Sequence, residues 1–265
     1  MINFKKMAEQ LLLSTVRIET PSGTGTGFLF TFKIKEEKEC LVLITNSHVI
    51  ESKPIERIKM TFHSSESDLT ENIDIEGFLE WHHHAEYDLC FSYIHPVFLK
   101  IKERYGFYPK IRCFSEEYFL KDQKINLLEE ITMVGYPIGL HDIKNNLPLF
   151  RKGYTATHPS IDFNGSKIGI VDMACFPGSS GSPIFILNEG SYLLDNTLVV
   201  GNRLIFLGIL YSGPIYNANG ILETRDIDMK LETIPRVGMM TNLGYYIKAE
   251  VILDFKEKII EDYNK

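Results

Sequence analysis

The sequence predicts an all-β fold, and its patterning gives three reasons. Short apolar stretches in which hydrophobic and polar residues alternate recur along the chain, which is typical of strands with one buried face. These stretches are rich in Val, Ile, Phe, Tyr and Thr, and clusters of Gly, Pro, Asn and Ser separate them. Helical periodicity is rare. Many short strands with such spacing favour a sandwich or a barrel. The predicted strands are 15–19, 27–34, 40–45, 58–62, 88–94, 130–135, 167–173, 183–187, 197–200, 204–211 and 243–247.

Helical signals are confined to three segments. Residues 2–13 can form a short N-terminal helix, and residues 96–105 can form a helical connector. The strongest signal is at the C-terminus, where apolar residues recur at i, i+4 and i+8 with charges between them. They are Val251, Ile252, Phe255, Ile259 and Ile260. We expect this segment to form an amphipathic helix packed on the body of the protein.

Length and composition are those of an ordinary globular protein. The 265 residues suffice for one large domain or two modest ones. Hydrophobic residues make up 44% of the chain and charged residues 24%, which argues against disorder. The formal net charge of -7 excludes a general basic footprint. We therefore expect neither nucleic acid nor an anionic membrane as a partner.

The cysteines and the N-terminus predict a cytoplasmic protein. Cys40, Cys90, Cys113 and Cys175 form no C-x-x-C pair, so a zinc ribbon or a redox motif is not expected. We interpret them as free thiols, mostly buried, which fits a reducing compartment. The N-terminal run lacks the cleavage site of a signal peptide, and no stretch approaches the roughly 20 apolar residues of a membrane helix.

A candidate nucleophile lies in the turn 176–183, between two apolar stretches. Gly178 and Gly181 permit backbone conformations that other residues avoid. Successive backbone N–H groups can then point into one cavity, as an oxyanion hole requires. Ser180 would stand at the edge of that cavity as the nucleophile. Taken alone, the segment is equally typical of a plain Ser/Gly loop.

A base and an orienting acid are available elsewhere in the chain. A serine hydroxyl is a poor nucleophile without a general base, and His48 follows an apolar strand among small polar residues. Asp88 lies where a polar loop enters a buried strand, and its carboxylate can orient the imidazole. Taken singly, a structural histidine and a strand-edge acid are the commoner interpretations. Together with Ser180, the residues follow the order His, Asp, Ser.

Five local motifs make the chain similar to a trypsin-like serine peptidase of the bacterial HtrA/Deg-like or glutamyl-endopeptidase-like branch. They are TGTGF at 24–28, ITNSHVI at 44–50, YDL at 87–89, VGYPIG at 134–139 and PGSSGSP at 177–183. A softer match, NLGYYIKA at 242–249, resembles the closing strand before the family's terminal helix. The matches extend from residue 23 to about residue 255, which is nearly the whole chain.

The resemblance implies a fold of two six-stranded antiparallel β-barrels with a C-terminal α-helix. The whole chain, 1–265, would be a single peptidase domain with its active site between the barrels. The N-terminal barrel is expected over 14–105, a connection over 106–125, the C-terminal barrel over 126–248 and the helix over 249–265.

Carried over by motif, the resemblance makes His48 the general base, Asp88 its orienter and Ser180 the nucleophile. The backbone N–H groups of Gly178 and Ser180 would form the oxyanion hole. The implied activity is that of a serine endopeptidase that needs no cofactor or metal and acts on a polypeptide substrate. The alternative is a latent or inactive protease-like module that binds peptides or proteins and needs a protein activator or regulator.

Two departures from the family pattern bear on activation and specificity. Digestive members carry an aspartate before the nucleophile, and it receives the new N-terminal ammonium; Ser179 stands there in this chain. We therefore do not expect activation by N-terminal cleavage. Ala174, six residues before the nucleophile, offers no charge to select a basic P1 residue. Tyr211, Ser212 and Gly213 resemble the wall that pairs with substrate, which predicts an uncharged P1 residue.

Two other motifs are not interpreted as sites. The three histidines 82–84 suggest a metal, but adjacent residues of an extended segment point to opposite faces, and no second ligand cluster accompanies them. We expect a solvated loop there. The glycines of GTGTG at 23–27 lack the dinucleotide spacing, and a strand rather than a helix follows them.

Overall fold

The computed structural model describes residues 7–35, 38–65, 72–219 and 236–265. It confirms the predicted all-β class and the double-barrel architecture with a C-terminal helix. The three α-helices are α1 (Met7–Ser14), α2 (His95–Tyr105) and α3 (Lys256–Tyr263). Residues 2–6 of the predicted N-terminal helix lie outside the described residues.

The N-terminal barrel is built from six principal strands and two short ones. The strands are β1 (Thr15–Thr20), β2 (Gly23–Lys35), β3 (Lys38–Thr45), β4 (Ile55–Ser64), β5 (Asn72–Glu80), β6 (His82–His83), β7 (Cys90–Tyr93) and β8 (Pro109–Lys110). They form one antiparallel sheet in the order β5-β4-β1-β2-β3-β7-β6, with β8 added beside β4. The sheet curls until β5 and β7 come into contact. Without the two-residue strands β6 and β8, it has the six strands expected.

The C-terminal barrel is closed. Its strands are β9 (Glu130–Gly135), β10 (Leu149–Thr155), β11 (Ile168–Asp172), β12 (Pro183–Asn188), β15 (Arg203–Ser212) and β18 (Leu243–Lys248). They pair in the order β10-β11-β18-β15-β12-β9, and β9 closes the ring by pairing with β10. Two hairpins lie outside the ring: β13 (Ser191–Leu194) with β14 (Thr197–Val200), and β16 (Ile215–Asn219) with β17 (Arg236–Met240).

An aromatic cluster holds the two barrels together. The ring centroids of Phe28 in the N-terminal barrel and Phe206 in the C-terminal barrel are 5.3 Å apart with the rings edge to face. Phe114, from the segment that connects the barrels, lies 4.7 Å from Phe185. All four rings are fully buried. Large buried rings contribute both apolar area and ring–ring contacts, so this interface is a continuous core rather than a hinge.

The C-terminal segment crosses back onto the N-terminal barrel. It begins as a 3₁₀ helix, Ala249–Phe255, and continues as α3. The Tyr93 hydroxyl donates to Asp262 Oδ2 at 2.9 Å, and His84 Nε2 lies 3.2 Å from Asp254 Oδ2. The Lys258 ammonium is the main cause that lowers the pKa of Asp262 to about 2. The segment therefore connects the two barrels on the side of the three adjacent histidines at 82–84, here called the histidine run.

The histidine run is more ordered than the solvated loop expected from the sequence. His82 and His83 form β6 beside β7, and the His82 ring stacks on Phe91 with centroids 4.8 Å apart. His83 contacts the Ser47 hydroxyl and the Lys53 carbonyl through its two ring nitrogens. The flanking aromatic core explains this order. Within the described part of the chain, no group of three His, Cys, Asp or Glu side chains is arranged to hold a metal.

All four cysteines are free thiols in the structure, and Cys90 and Cys175 are buried. Cys40, which the sequence places in apolar surroundings, is only partly buried, as is Cys113. Among the described residues, no helix is long and apolar enough to cross a membrane.

Stability should fall in mild acid because of His63. Burial, with the charge of Lys110, lowers the pKa of this imidazole below 6.5. Below about pH 6.5 this histidine is therefore protonated in the unfolded chain but still neutral in the folded chain. Stability is therefore full above that pH and decreases below it, by at most about 1.4 kcal/mol per pH unit.

Urea unfolding at about pH 7 and about pH 5 checks this expectation. His63→Gln cannot titrate, so it should lose less stability on acidification than the unsubstituted protein. His95→Gln, at an exposed histidine, is the matched control and should behave like the unsubstituted protein. Equal losses in all three proteins would contradict the assignment.

Candidate functional site

His48 is placed by the end of β3 and by two polar residues that precede it. Strand β3 pairs with β7 up to the partners Thr45 and Cys90, and a single 3₁₀ turn, Ser47–Ile50, follows. Asn46 Nδ2 donates to the Asp88 carbonyl at 2.8 Å, and the Ser47 hydroxyl donates to the Leu89 carbonyl at 3.0 Å. The ends of two neighbouring strands are thereby fixed to each other.

The Asp88 carboxylate holds His48 through two contacts. Asp88 Oδ2 lies 2.5 Å from His48 Nδ1, and Asp88 Oδ1 accepts the His48 backbone N–H at 3.0 Å. An ionised carboxylate can only accept, so Nδ1 carries a proton and donates it to Asp88. The imidazole is about half exposed, at 48%. The arrangement fixes the orientation of the ring and leaves Nε2 without a hydrogen-bond partner among the described residues.

Ser180 follows a tight turn that has the features of a type II β-turn. The Ser179 N–H donates to the Phe176 carbonyl at 3.0 Å, with Pro177 and Gly178 at the central positions. Gly178 has φ +85, and a type II turn requires such a value at its third residue. Glycine adopts it at no steric cost. The sequence Pro-Gly therefore dictates the turn that precedes the candidate nucleophile.

Every carbonyl from Pro177 to Ser180 is engaged by a donor. The Pro177 carbonyl accepts the Ile138 N–H at 2.5 Å, and the Ser179 carbonyl accepts the Ser182 N–H at 3.0 Å. The other two carbonyls, of Gly178 and Ser180, accept hydrogen bonds from β2. In a planar trans peptide the N–H points away from the C=O of the same unit. The peptide planes of the turn are therefore fixed from outside.

The backbone N–H groups of Gly178 and Ser180 are candidate donors for an anion. Within the residues that the structure describes, the backbone N–H groups of Gly178 and Ser180 have no acceptor. Each belongs to a peptide unit whose carbonyl is bound on the other side. Free N–H groups that point into one cavity favour an oxygen anion, and Gly178 and Ser180 both line one cleft. The turn therefore offers two candidate donors for an oxyanion hole.

His48, Gly178 and Ser180 line one cleft between the barrels. Its volume is about 250 Å³. The other lining residues are Thr20, Ser22, Gly23, Thr24, Val49 and Pro177. Ser180 is half-buried, and its hydroxyl has no hydrogen-bond partner among the described residues. Of the three residues that the sequence selected, His48 and Ser180 thus line the same cavity, and Asp88 contacts His48 without lining it.

The four predicted substrate-contacting residues lie beside this cleft rather than in it. As described here, the cleft's lining does not include Ala174, Tyr211, Ser212 or Gly213. A Cβ at Gly213 would lie 3.9 Å from that of Cys175, so the segments 174–176 and 211–213 do meet. Burial raises the pKa of Tyr211, and the charges of Tyr245 and Asp88 raise it further.

Cys175 is not a rival nucleophile. Burial raises the pKa of its thiol to about 11, so the thiol stays protonated at neutral pH. Ser179, which stands just before Ser180, is fully buried, and its hydroxyl has no partner among the described residues. The turn is held instead by backbone N–H groups and by the Thr26 hydroxyl.

Sequence reasoning missed two residues that shape the site. Thr26 in β2 donates from its hydroxyl to the Gly178 carbonyl at 3.1 Å and from its N–H to the Ser180 carbonyl at 3.0 Å. Ile138 has φ +47, which is unusual for a β-branched residue, and its N–H binds Pro177. Both lie in segments that the motif comparison singled out, but nothing in the sequence indicated what they touch.

No protein-family model and no curated protein matches the chain. Among solved structures, an inactive form of Rv3671c from M. tuberculosis H37Rv aligns at 12% identity and a TM-score of 0.49, over 97% of this chain and 91% of its own. A scabies mite inactivated protease paralogue aligns at 12% identity and 0.49, over 94% and 95%. A human pathogenic astrovirus serine protease aligns at 13% and 0.43, over 89% and 88%. The fold assignment rests on the strand pairing.

Gly178→Ala should destabilise the protein more than an ordinary substitution of a left-handed glycine. A Cβ at this position would lie 2.8 Å from both the Ile138 nitrogen and the Tyr136 oxygen. Gly165 has φ +76 with nothing within 4 Å, so Gly165→Ala carries the backbone strain alone, about 1–2 kcal/mol. Gly178→Ala adds a clash with main-chain atoms, worth roughly 2 kcal/mol more.

The comparison is made by urea unfolding of both variants and the unsubstituted protein. Equal losses of stability in Gly178→Ala and Gly165→Ala would contradict the close packing of the turn against residues 136–139.

Proposed function

We propose that the protein is a serine endopeptidase. The observation that carries the proposal is the cleft in which an imidazole oriented by Asp88 stands together with Ser180 and the free N–H groups of Gly178 and Ser180. These are the parts that acyl transfer needs: a nucleophile, a base with the correct tautomer, and donors for a developing oxyanion.

In the first step, His48 Nε2 takes the proton of the Ser180 hydroxyl as the oxygen attacks the carbonyl carbon of the scissile peptide bond. The carbonyl oxygen becomes an anion and accepts the N–H groups of Gly178 and Ser180. The Asp88 carboxylate stabilises the imidazolium through Nδ1. The C–N bond then breaks, His48 returns its proton to the leaving amine, and an acyl-enzyme remains on Ser180.

In the second step, water replaces the amine. His48 Nε2 takes a proton from water as its oxygen attacks the acyl carbon, and the same two N–H groups hold the oxyanion. Collapse of the intermediate breaks the ester bond and returns the proton to the Ser180 oxygen. The balance is one peptide bond and one water converted to a carboxylic acid and an amine, which are a carboxylate and an ammonium group once the proton has passed between them, with the enzyme regenerated and no cofactor consumed.

The proposed substrate is a polypeptide with an uncharged P1 residue. The wall formed by Ala174 and the segment 211–213 carries no ionised side chain, so it offers a basic or acidic P1 residue no partner. We also propose a cytoplasmic location, which the four free thiols favour.

A second candidate function is a latent protease that a partner activates. The observation that favours it is the Ser180 hydroxyl, which makes no hydrogen bond to His48 in the described structure. Catalytic hydrogen bonds are often formed only when substrate is bound, so the same observation fits an active enzyme. A protein regulator that presses the turn towards His48 would complete the contact.

Labelling with a fluorophosphonate tests the proposal and separates the two candidates. The probe should label the unsubstituted protein, and Ser180→Ala should abolish the label. Ser160→Ala, at an exposed serine outside the cleft, is the matched control and should label normally. His48→Gln should reduce peptide hydrolysis about 10⁴-fold or more, because without a base the hydroxyl is a weak nucleophile.

The labelling is repeated in the presence of cell extract. A label on Ser180 that appears only with extract would establish the latent form. If the folded protein takes no label under either condition, the endopeptidase proposal is wrong.

A further inference from the structure

Thr26 stands where the two barrels meet, and each of its polar groups is engaged across that boundary or towards the histidine strand. Its N–H donates to the Ser180 carbonyl at 3.0 Å. Its carbonyl accepts the Thr45 hydroxyl at 2.7 Å. Its own hydroxyl donates to the Gly178 carbonyl at 3.1 Å and accepts the Tyr136 N–H at 3.0 Å. The backbone and side chain of this one residue thus connect β2 to three other segments: the serine turn, the end of β3 and the residue after β9.

The environment of Thr26 leaves no room for an alternative arrangement. The residue is fully buried, so water cannot replace a lost partner without opening the interface. A Cβ at Gly181 would lie 1.8 Å from the Thr26 carbonyl oxygen, and one at Gly135 would lie 2.9 Å from its hydroxyl oxygen. The glycines on both sides allow the C-terminal barrel to approach this closely.

We propose that Thr26 is a positioning residue for the oxyanion hole and for the meeting of Ser180 with His48. By holding the carbonyls of Gly178 and Ser180, it fixes two peptide planes of the serine turn. Through Thr45, three residues before His48, it also fixes the strand that carries the base. The inference rests on the proposed serine endopeptidase function, and it assigns no contact between Thr26 and substrate.

Replacing the hydroxyl has a defined physical consequence. Thr26→Val keeps the shape of the side chain but puts a methyl group where the hydroxyl binds Gly178. The Gly178 carbonyl and the Tyr136 N–H are then both buried without a partner, and the turn must move to relieve them. The peptide planes that aim the two free N–H groups move with it. Thr26→Ser keeps the hydroxyl and should keep the geometry.

The kinetic test compares kcat and KM for a peptide substrate that the protein cleaves. Loss of one oxyanion donor costs about 10²–10³ in kcat, so partial misalignment of two donors in Thr26→Val should cost about 10- to 100-fold. KM should change less than about threefold, since the displaced groups act on the transition state. Thr26→Ser should recover most of kcat.

Thr132→Val is the matched control, because Thr132 is also a buried barrel threonine, and its hydroxyl has no partner among the described residues. It should leave kcat unchanged. If Thr26→Val does not fold, Thr26→Ala removes the hydroxyl without adding a methyl group against Gly178, and the same loss of kcat is expected. A kcat for the folded Thr26 variant equal to that of Thr132→Val would overturn the proposal.

Hydrogen exchange gives a second readout that does not depend on hydrolysis. The amides of Ser179 and Ser182 are hydrogen-bonded within the turn, and they should exchange faster in Thr26→Val but not in Thr26→Ser or Thr132→Val. Unchanged exchange would overturn the positioning role whether or not the protein is an enzyme. Suppose that the unsubstituted protein neither cleaves peptides nor takes the fluorophosphonate label, while amide exchange in the Thr26 variants changes as expected. That result would refute the proposed function and leave the positioning role of Thr26 in the turn intact.

Discussion

The close approach of β2 to the serine turn is the constraint on which the rest of the site depends. The Thr26 N–H binds the Ser180 carbonyl, and the Thr26 carbonyl lies where a side chain on Gly181 would have to be. Strand β2 also pairs along its length with β3, which ends just before His48. The position of the serine turn relative to His48 therefore depends on contacts between the two barrels, which the backbone and the hydroxyl of Thr26 make.

The two barrels carry different parts of the proposed site, so the proposed chemistry depends on their relative position. His48 and Asp88 lie at neighbouring strand ends of the first barrel, whereas Ser180 and the free N–H groups lie at one turn of the second. The aromatic cluster around Phe114 and the C-terminal segment that crosses to Tyr93 and His84 hold the barrels together at two further places. A small shift of one barrel would separate His48 from the Ser180 hydroxyl without changing the contacts within either barrel.

The sequence predicted the fold class and the candidate site residues because each depends on a local signal. The Pro-Gly pair dictates a type II turn, and the alternation of strands such as β1 and β3 is strong. Strand β10 was missed because charged and aromatic residues obscure its alternation, and β13 was missed because it lies in an exposed hairpin outside the ring. Thr26 could not be assigned a role, since its side-chain partners, Tyr136 and Gly178, are 110 and 152 positions away. Long-range contacts of a small residue leave no trace in a single sequence.

The most direct measurement of the central claim is a crystal structure of the protein with a peptide phosphonate bound covalently to the active site. We expect a bond from phosphorus to the Ser180 oxygen and one phosphonyl oxygen about 2.7–3.1 Å from the nitrogens of both Gly178 and Ser180. We also expect His48 Nε2 beside the Ser180 oxygen, with Nδ1 still on Asp88. An adduct on another residue, or a phosphonyl oxygen turned away from the two N–H groups, would contradict the central claim.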